Sequence, residues 1–149
     1  MKITIEQLQL DELQSFLREQ ADDTFPDLKD EQRLAMLSEK WHSHAEFCTC
    51  RNDEGRLVGM IAFYANRPEE KVVYIPHVYV SGQFRGQQLM TSMLHIIEEY
   101  VQGKGFKYLR LEVKRNNEMA QRAYLHYGFS RLMEAEASDN SFFMQYSIS

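Results

Sequence analysis

Backbone amides and one guanidinium come together after Val80, where a predicted strand runs into a predicted long helix. The first N-H groups of a helix, with Arg85 beside them, form a site that suits an anion such as a pyrophosphate. An ordinary strand-to-helix turn with no ligand shows the same local pattern, so this segment alone leaves both interpretations open. The stretch concerned is Gln83-Phe84-Arg85-Gly86-Gln87-Gln88-Leu89-Met90-Thr91.

Pro76 interrupts the strand that precedes this turn. Because proline donates no hydrogen bond to a central ladder, it marks a sheet edge or a β-bulge, and we favour a bulge. Bulges beside active sites splay neighbouring strands and leave backbone N-H groups free to bind something other than a strand. We therefore expect free backbone N-H groups around Val78 and Val80.

A second pattern lies further along the chain, as N-x-x-A-x-x-x-Y-x-x-x-G-F. Asn117, Ala120 and Tyr124 fall along one side of a helix, and Gly128 and Phe129 stand at its exit. The two patterns, in this order and separated by a helix and the strand Leu111-Glu112-Val113, resemble the GCN5-related N-acetyltransferase (GNAT) superfamily. The resemblance is tight over the C-terminal half and loose over the whole order of elements.

The resemblance implies an α/β (α+β mixed) fold with a central, mostly antiparallel sheet, splayed strands and helices on both faces. It also implies that acetyl-CoA binds between the splayed strands, with the Val78 N-H on the thioester carbonyl and Asn117 reaching the cofactor. The cofactor-binding residues implied in this way are Val78, Tyr79, Val80, Arg85, Gly86, Gln87, Gln88, Leu89, Met90, Thr91, Asn117 and Tyr124.

Two catalytic roles follow from the same resemblance. Tyr124 matches the tyrosine that protonates the departing thiolate, and Glu112 matches a glutamate that serves as base, usually through water. Without the surrounding motif, Tyr124 could be a packed core tyrosine and Glu112 a solvated strand residue. His77 is an alternative base. In an alternating strand, however, its side chain points opposite to that of Val78, which favours a structural histidine.

The phosphate turn departs from the family pattern at two positions. The family usually has R-x-x-G-x-G or R-x-x-G-x-A, whereas this chain has Gln88 and Met90 in place of the small residues. Glycine there allows a close approach of backbone to phosphate, so both side chains must turn away or weaken the site. Backbone amides bind anions whatever the side chain is.

The expected function is acetyl transfer from acetyl-CoA directly to a primary amine, without a covalent enzyme intermediate. Two alternatives on the same fold are a non-catalytic acyl-CoA sensor and a partner-binding module. The acceptor class stays open, although an acidic group near its expected entrance, with Phe25, Trp41 and Tyr64, suits a cationic amine. That group is Asp22, Asp23, Asp27, Asp30 and Glu31.

The elements that must position these residues follow from hydrophobic periodicity. The chain predicts a strand, two helices, three strands, a long helix beginning near Gly86, a strand, a helix and two closing strands. Asn52-Asp53-Glu54-Gly55 is typical of a hairpin connection. No repeat or linker divides the chain, so we expect one domain over residues 1–149.

Composition excludes several classes of protein. Seventeen Lys and Arg against 22 Asp and Glu give a net charge of −5, which argues against nucleic-acid binding. No apolar run is long enough to span a membrane and no signal-type segment is present, so a cytoplasmic protein is expected. A homodimer is compatible with the sequence.

Two histidines and two cysteines lie close together, at His42, His44, Cys48 and Cys50. Their spacing lacks the C-x-x-C and H-x-x-x-H intervals of compact zinc folds, so no metal site is predicted. Cys48 and Cys50 stand two apart in a strand and share a face, where buried small hydrophobic residues are expected.

Overall fold

The computed structural model describes residues 1–21, 25–86, 88–133, 135 and 137–148. The helices among them are α1 (Leu10–Glu19), α2 (Glu31–His44), α3 (Leu89–Val101) and α4 (Glu118–Tyr127). The strands are β1 (Lys2–Glu6), β2 (Glu46–Arg51), β3 (Leu57–Tyr64), β4 (Val72–Val80), β5 (Tyr108–Lys114), β6 (Ser130–Arg131) and β7 (Ser141–Ser147). Short 3₁₀ turns lie at Pro26–Lys29, Pro68–Glu70 and Gly82–Phe84.

The strands form one sheet in the order β1-β2-β3-β4-β5-β7-β6. Only β4 and β5 pair in parallel among the described strands. Parallel pairing requires a crossover connection, and α3 supplies it. The predicted element order and the mostly antiparallel mixed sheet are thus confirmed, and Gly55 in the β2–β3 connection has a φ of 80°.

A bulge in β4 confirms the interpretation of Pro76. Ala62 pairs with His77, and Tyr64 pairs with Tyr74. Between these two pairs β3 has one residue, whereas β4 has two, Ile75 and Pro76. The extra residue changes which face the later side chains occupy. As a result Ile75 and Val78 both pack into the same core, although they are three residues apart.

Two hydrophobic cores cover the two faces of the sheet. One lies beneath α3 and α4, where Met93, Leu94 and Ile97 meet Tyr124 and Phe129. The other lies beneath α1 and α2 and is built around Leu13, Leu17, Leu34, Trp41 and Phe47. Helices therefore cover both faces, as predicted.

Two local predictions have clear outcomes. Helix α3 begins at Leu89, three residues after Gly86, because Gly86 and Gln88 both have positive φ angles that interrupt a helix. Cys48 and Cys50 are both buried in the core beneath α3, and burial raises the pKa of the Cys48 thiol to about 12. Within the described residues, no helix has the length and apolar character needed to cross a membrane.

Candidate active site

A gap opens in the middle of the sheet where β4 and β5 separate. The two strands pair from Val72–Tyr108 to Ile75–Leu111, and the pairing stops there. Beyond that point β4 continues to Val80 and β5 to Lys114 without bonding to each other. The bulge at Pro76 stands at the point of separation, so it accounts for the splayed strands that the sequence predicted.

The register of β4 determines which of its backbone groups face this gap. The Ser81 N-H donates to the Val58 carbonyl at 2.8 Å, so this pair is hydrogen-bonded across to β3. Successive residues of a strand point their N-H and C=O groups to opposite sides. The backbone N-H and C=O groups of Val78 and Val80 therefore point into the gap. In agreement with this, the Val80 carbonyl accepts a hydrogen bond from the Arg85 Nε-H at 2.9 Å.

A cleft of about 710 Å³ lies at the gap and is lined by residues from both faces of the sheet. Val78, Asn117, Ala120 and Tyr124 line it on the side of α3 and α4. The other side is lined by residues that include Phe25, Asp27, Arg33, Lys40, Trp41, Tyr64, Tyr74, His77, Glu112, Lys114 and Ser141. Both proposed catalytic residues, Glu112 and Tyr124, thus border one cavity.

Glu112 lies on the face of β5 opposite to α3 and α4. Its neighbours Leu111 and Val113 are buried beneath α3 and α4, so strand alternation places Glu112 on the opposite face, toward α2. The carboxylate is exposed and accepts a hydrogen bond from the Ser141 hydroxyl. Glu112 and Tyr124 therefore approach the cleft from opposite faces of the sheet.

Tyr124 is buried at 7% exposure, with its ring 5.6 Å from that of Phe129. Burial raises the pKa of the phenol, so the group stays protonated at neutral pH. No described residue forms a hydrogen bond with its hydroxyl. The sequence left open whether Tyr124 is a core tyrosine or a site residue. In the structure its ring packs in the core and the residue also borders the cleft.

The turn after β4 provides unpaired amides at the start of α3. Gln88 occupies the N-cap position in a left-handed conformation, with φ 60° and ψ 23°, and no side chain caps the helix. The first amides of α3, which include those of Leu89, Met90 and Thr91, therefore lack intrahelical partners and suit an anion. Gln87 lies outside the described residues.

The two residues that replace the family's small residues differ in their surroundings. The Gln88 side chain is exposed, and Met90 packs against the core beneath α3. Gln88 keeps the positive φ that glycine adopts without strain. The backbone of the turn thus has a shape fit for an anion although the side chains are larger.

The sequence itself matches a known family over most of its length. The model of the acetyltransferase (GNAT) family matches residues 10–129. The chain belongs to the GNAT family. No match was found among curated proteins.

Solved structures of GNAT proteins share the fold. An acetyltransferase of the GNAT family from Staphylococcus aureus is 16% identical, with 99% of this chain and 100% of that one covered and a TM-score of 0.76. The PaiA N-acetyltransferase of Thermoplasma acidophilum, solved in complex with coenzyme A, is 18% identical, with 99% of each chain covered and a TM-score of 0.72. Tetrahymena GCN5 is 15% identical, covers 94% of this chain and 86% of its own, and has a TM-score of 0.71.

Two residues of the GNAT motifs have structural tasks in this chain. Asn117 caps α4, with its side-chain oxygen accepting from the Ala120 N-H at 3.2 Å, so its amide NH₂ is the part left for a ligand. Tyr79 directs its ring to the face of α1 and α2, where it packs edge-on against Phe16 at 5.7 Å. Its backbone N-H points toward β3 rather than into the gap.

The acidic residues expected at the acceptor entrance are mostly engaged elsewhere. Asp27 pairs with Arg33 at 3.2 Å, Asp30 caps α2, and Glu31 pairs with Arg18 at 3.2 Å. Of these three acids only Asp27 lines the cleft, and Asp22 and Asp23 lie outside the described residues. Within the described residues one member of the predicted acidic group thus reaches the cleft, and the acidic entrance stays a prediction.

Sequence reasoning missed three residues around this cleft: Lys40, Lys114 and Gln20. The two lysines line the cleft and form no ion pair within the described part of the chain. Gln20 is fully buried and lies behind the cleft against His77. No sequence motif marks these residues, because they belong to three separate elements. No three His, Cys, Asp or Glu side chains among the described residues cluster as metal ligands.

Proposed function

We propose that this protein transfers the acetyl group of acetyl-CoA to the primary amine of a small acceptor. The observation that carries the proposal is the gap between β4 and β5, which brings Val78, Glu112 and Tyr124 to one cleft of about 710 Å³. The uncapped start of α3 lies beyond the same end of β4 and provides amides for the anionic part of the cofactor.

The reaction needs no covalent enzyme intermediate. The amine nitrogen attacks the thioester carbonyl carbon, a C-N bond forms and the C-S bond breaks. Counted from the neutral amine, the nitrogen gives up one proton and the thiolate gains one, so atoms and charge balance. The additional proton of an ammonium acceptor leaves through Glu112 to solvent before the attack. The protein contributes orientation, a donor for the carbonyl oxygen and two proton-transfer groups.

Glu112 is assigned to take the amine proton, through water where the distance requires it. An alkylammonium has a pKa of about 10.4, so an acceptor is almost wholly protonated at neutral pH and must lose a proton before attack. The Glu112 carboxylate is exposed to the cleft and held by the Ser141 hydroxyl. That bond leaves the second carboxylate oxygen available.

Tyr124 is assigned to protonate the sulfur of the leaving thiolate. Its raised pKa keeps the proton in place before the reaction, and its position on α4 puts it on the face opposite Glu112. The Val78 N-H, which faces the gap, is assigned to the thioester carbonyl oxygen, where negative charge develops.

The charges around the cleft favour an acceptor that carries a negative group besides its amine. Lys40 and Lys114 have no ion-pair partner in the described residues, and Asp27 is already paired with Arg33. Glu112 is the other acid in the described lining, so three basic and two acidic residues leave a net charge of +1. A carboxylate on the acceptor gains from these ammonium groups, and a polyamine is repelled by them. Amino acids and short peptides with a free amine are therefore favoured over polyamines.

A panel of amines, with release of free CoA thiol as the measurement, tests this function. The panel contains amino acids, their carboxamides, peptides and polyamines. Comparison of each amino acid with its carboxamide varies the charge at nearly constant shape. Thiol release that depends on the amine supports the proposal. Tight acetyl-CoA binding by calorimetry without release on any amine favours an acyl-CoA sensor, and no binding favours a partner-binding module.

A further inference from the structure

A buried pair of side chains that the reaction above does not use lies behind the acceptor wall. Gln20, at the C-terminal end of α1, is 0% exposed, and His77 on β4 is 7% exposed. The Gln20 Oε1 atom lies 2.6 Å from the His77 Nε2 atom. The two residues are 57 positions apart in sequence, so this contact depends on how α1 packs on the sheet.

The contact determines which nitrogen of His77 carries the hydrogen. In this orientation of the Gln20 amide, its oxygen can only accept a hydrogen bond, which assigns the hydrogen of the neutral imidazole to Nε2. The other nitrogen, Nδ1, then bears a lone pair. Nδ1 forms no hydrogen bond with any described residue, and His77 lines the cleft. A residue that lines the cleft thus keeps one ring nitrogen without a hydrogen-bond partner among the described residues.

The ring is held in place and kept neutral. Phe25 packs against it at a centroid distance of 4.8 Å and Trp41 at 5.0 Å. Burial lowers the pKa of His77 to about 4, so the imidazole carries no charge near neutral pH. The lone pair of a neutral, buried imidazole accepts a hydrogen bond from an amine N-H.

The buried Gln20 amide is only partly satisfied in this position. Its Nε2 atom is buried without a hydrogen-bond partner among the described residues. Burying an unsatisfied amide costs about 1–3 kcal/mol, which an apolar side chain of similar size avoids. The residue therefore calls for a reason other than packing, and its oxygen on His77 supplies one.

We propose that His77 binds the acceptor amine through Nδ1, which accepts a hydrogen bond from the amine N-H, and that Gln20 is a positioning residue that fixes the His77 tautomer. The inference rests on the proposed acetyl transfer to an amine. His77 directly precedes Val78, so the same strand segment places the amine beside the N-H assigned to the thioester carbonyl. Glu112 remains the group that takes the proton.

Two substitutions of His77 separate its two nitrogens. His77→Asn places a side-chain oxygen near the position of Nδ1 and shortens the reach toward Gln20. His77→Gln reaches Gln20 but has no acceptor near Nδ1. We expect His77→Gln to raise the acceptor KM by about tenfold, the upper range for one neutral hydrogen bond, and His77→Asn to raise it less. The acetyl-CoA Kd stays within about twofold in both, as does kcat.

The pH profile distinguishes binding of the amine from proton removal. Because His77 is assigned no proton transfer, kcat/KM of His77→Asn and of the wild type should depend on pH in the same way. Loss of an ionisation near neutral pH, well above the pKa of about 4 of the buried His77, would make His77 the base and overturn the proposal. An unchanged acceptor KM in His77→Gln would overturn it as well.

The tautomer has a readout that does not require turnover. Nitrogen NMR of the labelled protein at neutral pH, with the His77 signals assigned by their absence in His77→Gln, should show hydrogen on Nε2 and none on Nδ1. Gln20→Met removes the amide oxygen at similar volume, and we expect it to release the tautomer and raise the acceptor KM. Hydrogen on Nδ1 in the wild type would contradict the assignment.

The outcomes also separate this inference from the function on which it rests. If no amine in the panel gives thiol release, the acyl-transfer proposal fails and amine binding by His77 fails with it, whereas the NMR result still decides the tautomer. If amines react and His77→Gln behaves as the wild type, only the inference fails. Should Gln20→Met not fold, the two His77 variants and the wild-type spectrum decide it.

Discussion

The two faces of the gap between β4 and β5 are built in different ways. On the side of α3 and α4, the groups that matter are backbone amides of one continuous stretch, from Val78 to the start of α3, with Tyr124 beside them. On the side of α1 and α2, the wall consists of side chains from six separated segments, such as Phe25, Trp41, His77 and Glu112.

This difference explains why one face resembles a family and the other does not. Amides at a helix start suit an anion whatever the side chains are, and here they follow one another in a single stretch of sequence, where a spacing can be recognised. Side chains on the acceptor face must match a particular amine, and no local spacing records how they meet. The variants below remove one group at a time from each face, beginning with the largest expected effect.

On the acceptor face, Glu112→Gln should lower turnover by about 100- to 10,000-fold, the range of general-base catalysis. The amide keeps the shape of the side chain and an oxygen for the Ser141 hydroxyl, so folding should be unaffected. Acetyl-CoA affinity should change little, because Glu112 lies on the face away from α3 and α4. Steady-state kinetics and calorimetry measure the two quantities.

Glu99→Gln is the matched control, since this exposed carboxylate lies on α3 and does not line the cleft. It should leave both constants as in the wild type. A fully active Glu112→Gln enzyme would show that the acceptor face supplies no proton acceptor at this position, and solvent would then take that role.

On the opposite face, Tyr124→Phe should lower turnover by about 100-fold, the lower end of acid-base catalysis. The effect is smaller because a thiolate has a pKa of about 8.5 and can leave unprotonated. The ring that packs on Phe129 is retained, so the melting temperature should barely change. Tyr108→Phe, on a ring outside the cleft lining, is the control.

A loss of stability in Tyr124→Phe with turnover unchanged would favour the core tyrosine weighed from the sequence. The two substitutions together sharpen the comparison of the faces. If both lower kcat without changing acetyl-CoA affinity, proton removal and proton donation are divided between the two faces of the sheet, as their positions on β5 and α4 indicate.

The sequence predicted the element order, the bulge at Pro76 and the splayed strands, because each depends on local chemistry or on a contiguous motif. It did not predict that Asp27 pairs with Arg33, nor that Gln20 lies against His77. Such contacts are fixed by how α1 and α2 pack on the sheet, which no spacing in the sequence records. The face assembled from distant segments is accordingly the one that needed the structure.

Arg85→Ala tests the guanidinium at the cofactor turn. We expect acetyl-CoA affinity to fall by about 1.5–3 kcal/mol, the range for hydrogen bonds to charged groups. Arg85 also donates to the Val80 carbonyl and lies over the Tyr79 ring, so part of the loss comes from a looser turn. Arg67→Ala, near the other end of β4, is the control for the loss of one positive charge. Unchanged affinity in Arg85→Ala would mean that the phosphates bind elsewhere.

Gln88→Gly should have the smallest effect, and an opposite sign. Gln88 has a φ of 60°, a conformation that costs a non-glycine residue about 1–2 kcal/mol. Glycine removes this strain but gains more freedom in the unfolded chain, so we expect a net stabilisation of at most about 1 kcal/mol. Thermal melting should show an increase of a few degrees, and acetyl-CoA affinity should stay equal or improve.

Gln83→Gly provides the matched control within the same turn. Gln83 lies in a 3₁₀ turn and has no positive φ, so glycine there only adds freedom to the unfolded chain and should lower the melting temperature. If Gln88→Gly instead weakens acetyl-CoA binding, the Gln88 side chain itself contacts the cofactor. The cofactor face would then depend on a side chain as the acceptor face does, and the contrast between the two faces would be smaller than their construction indicates.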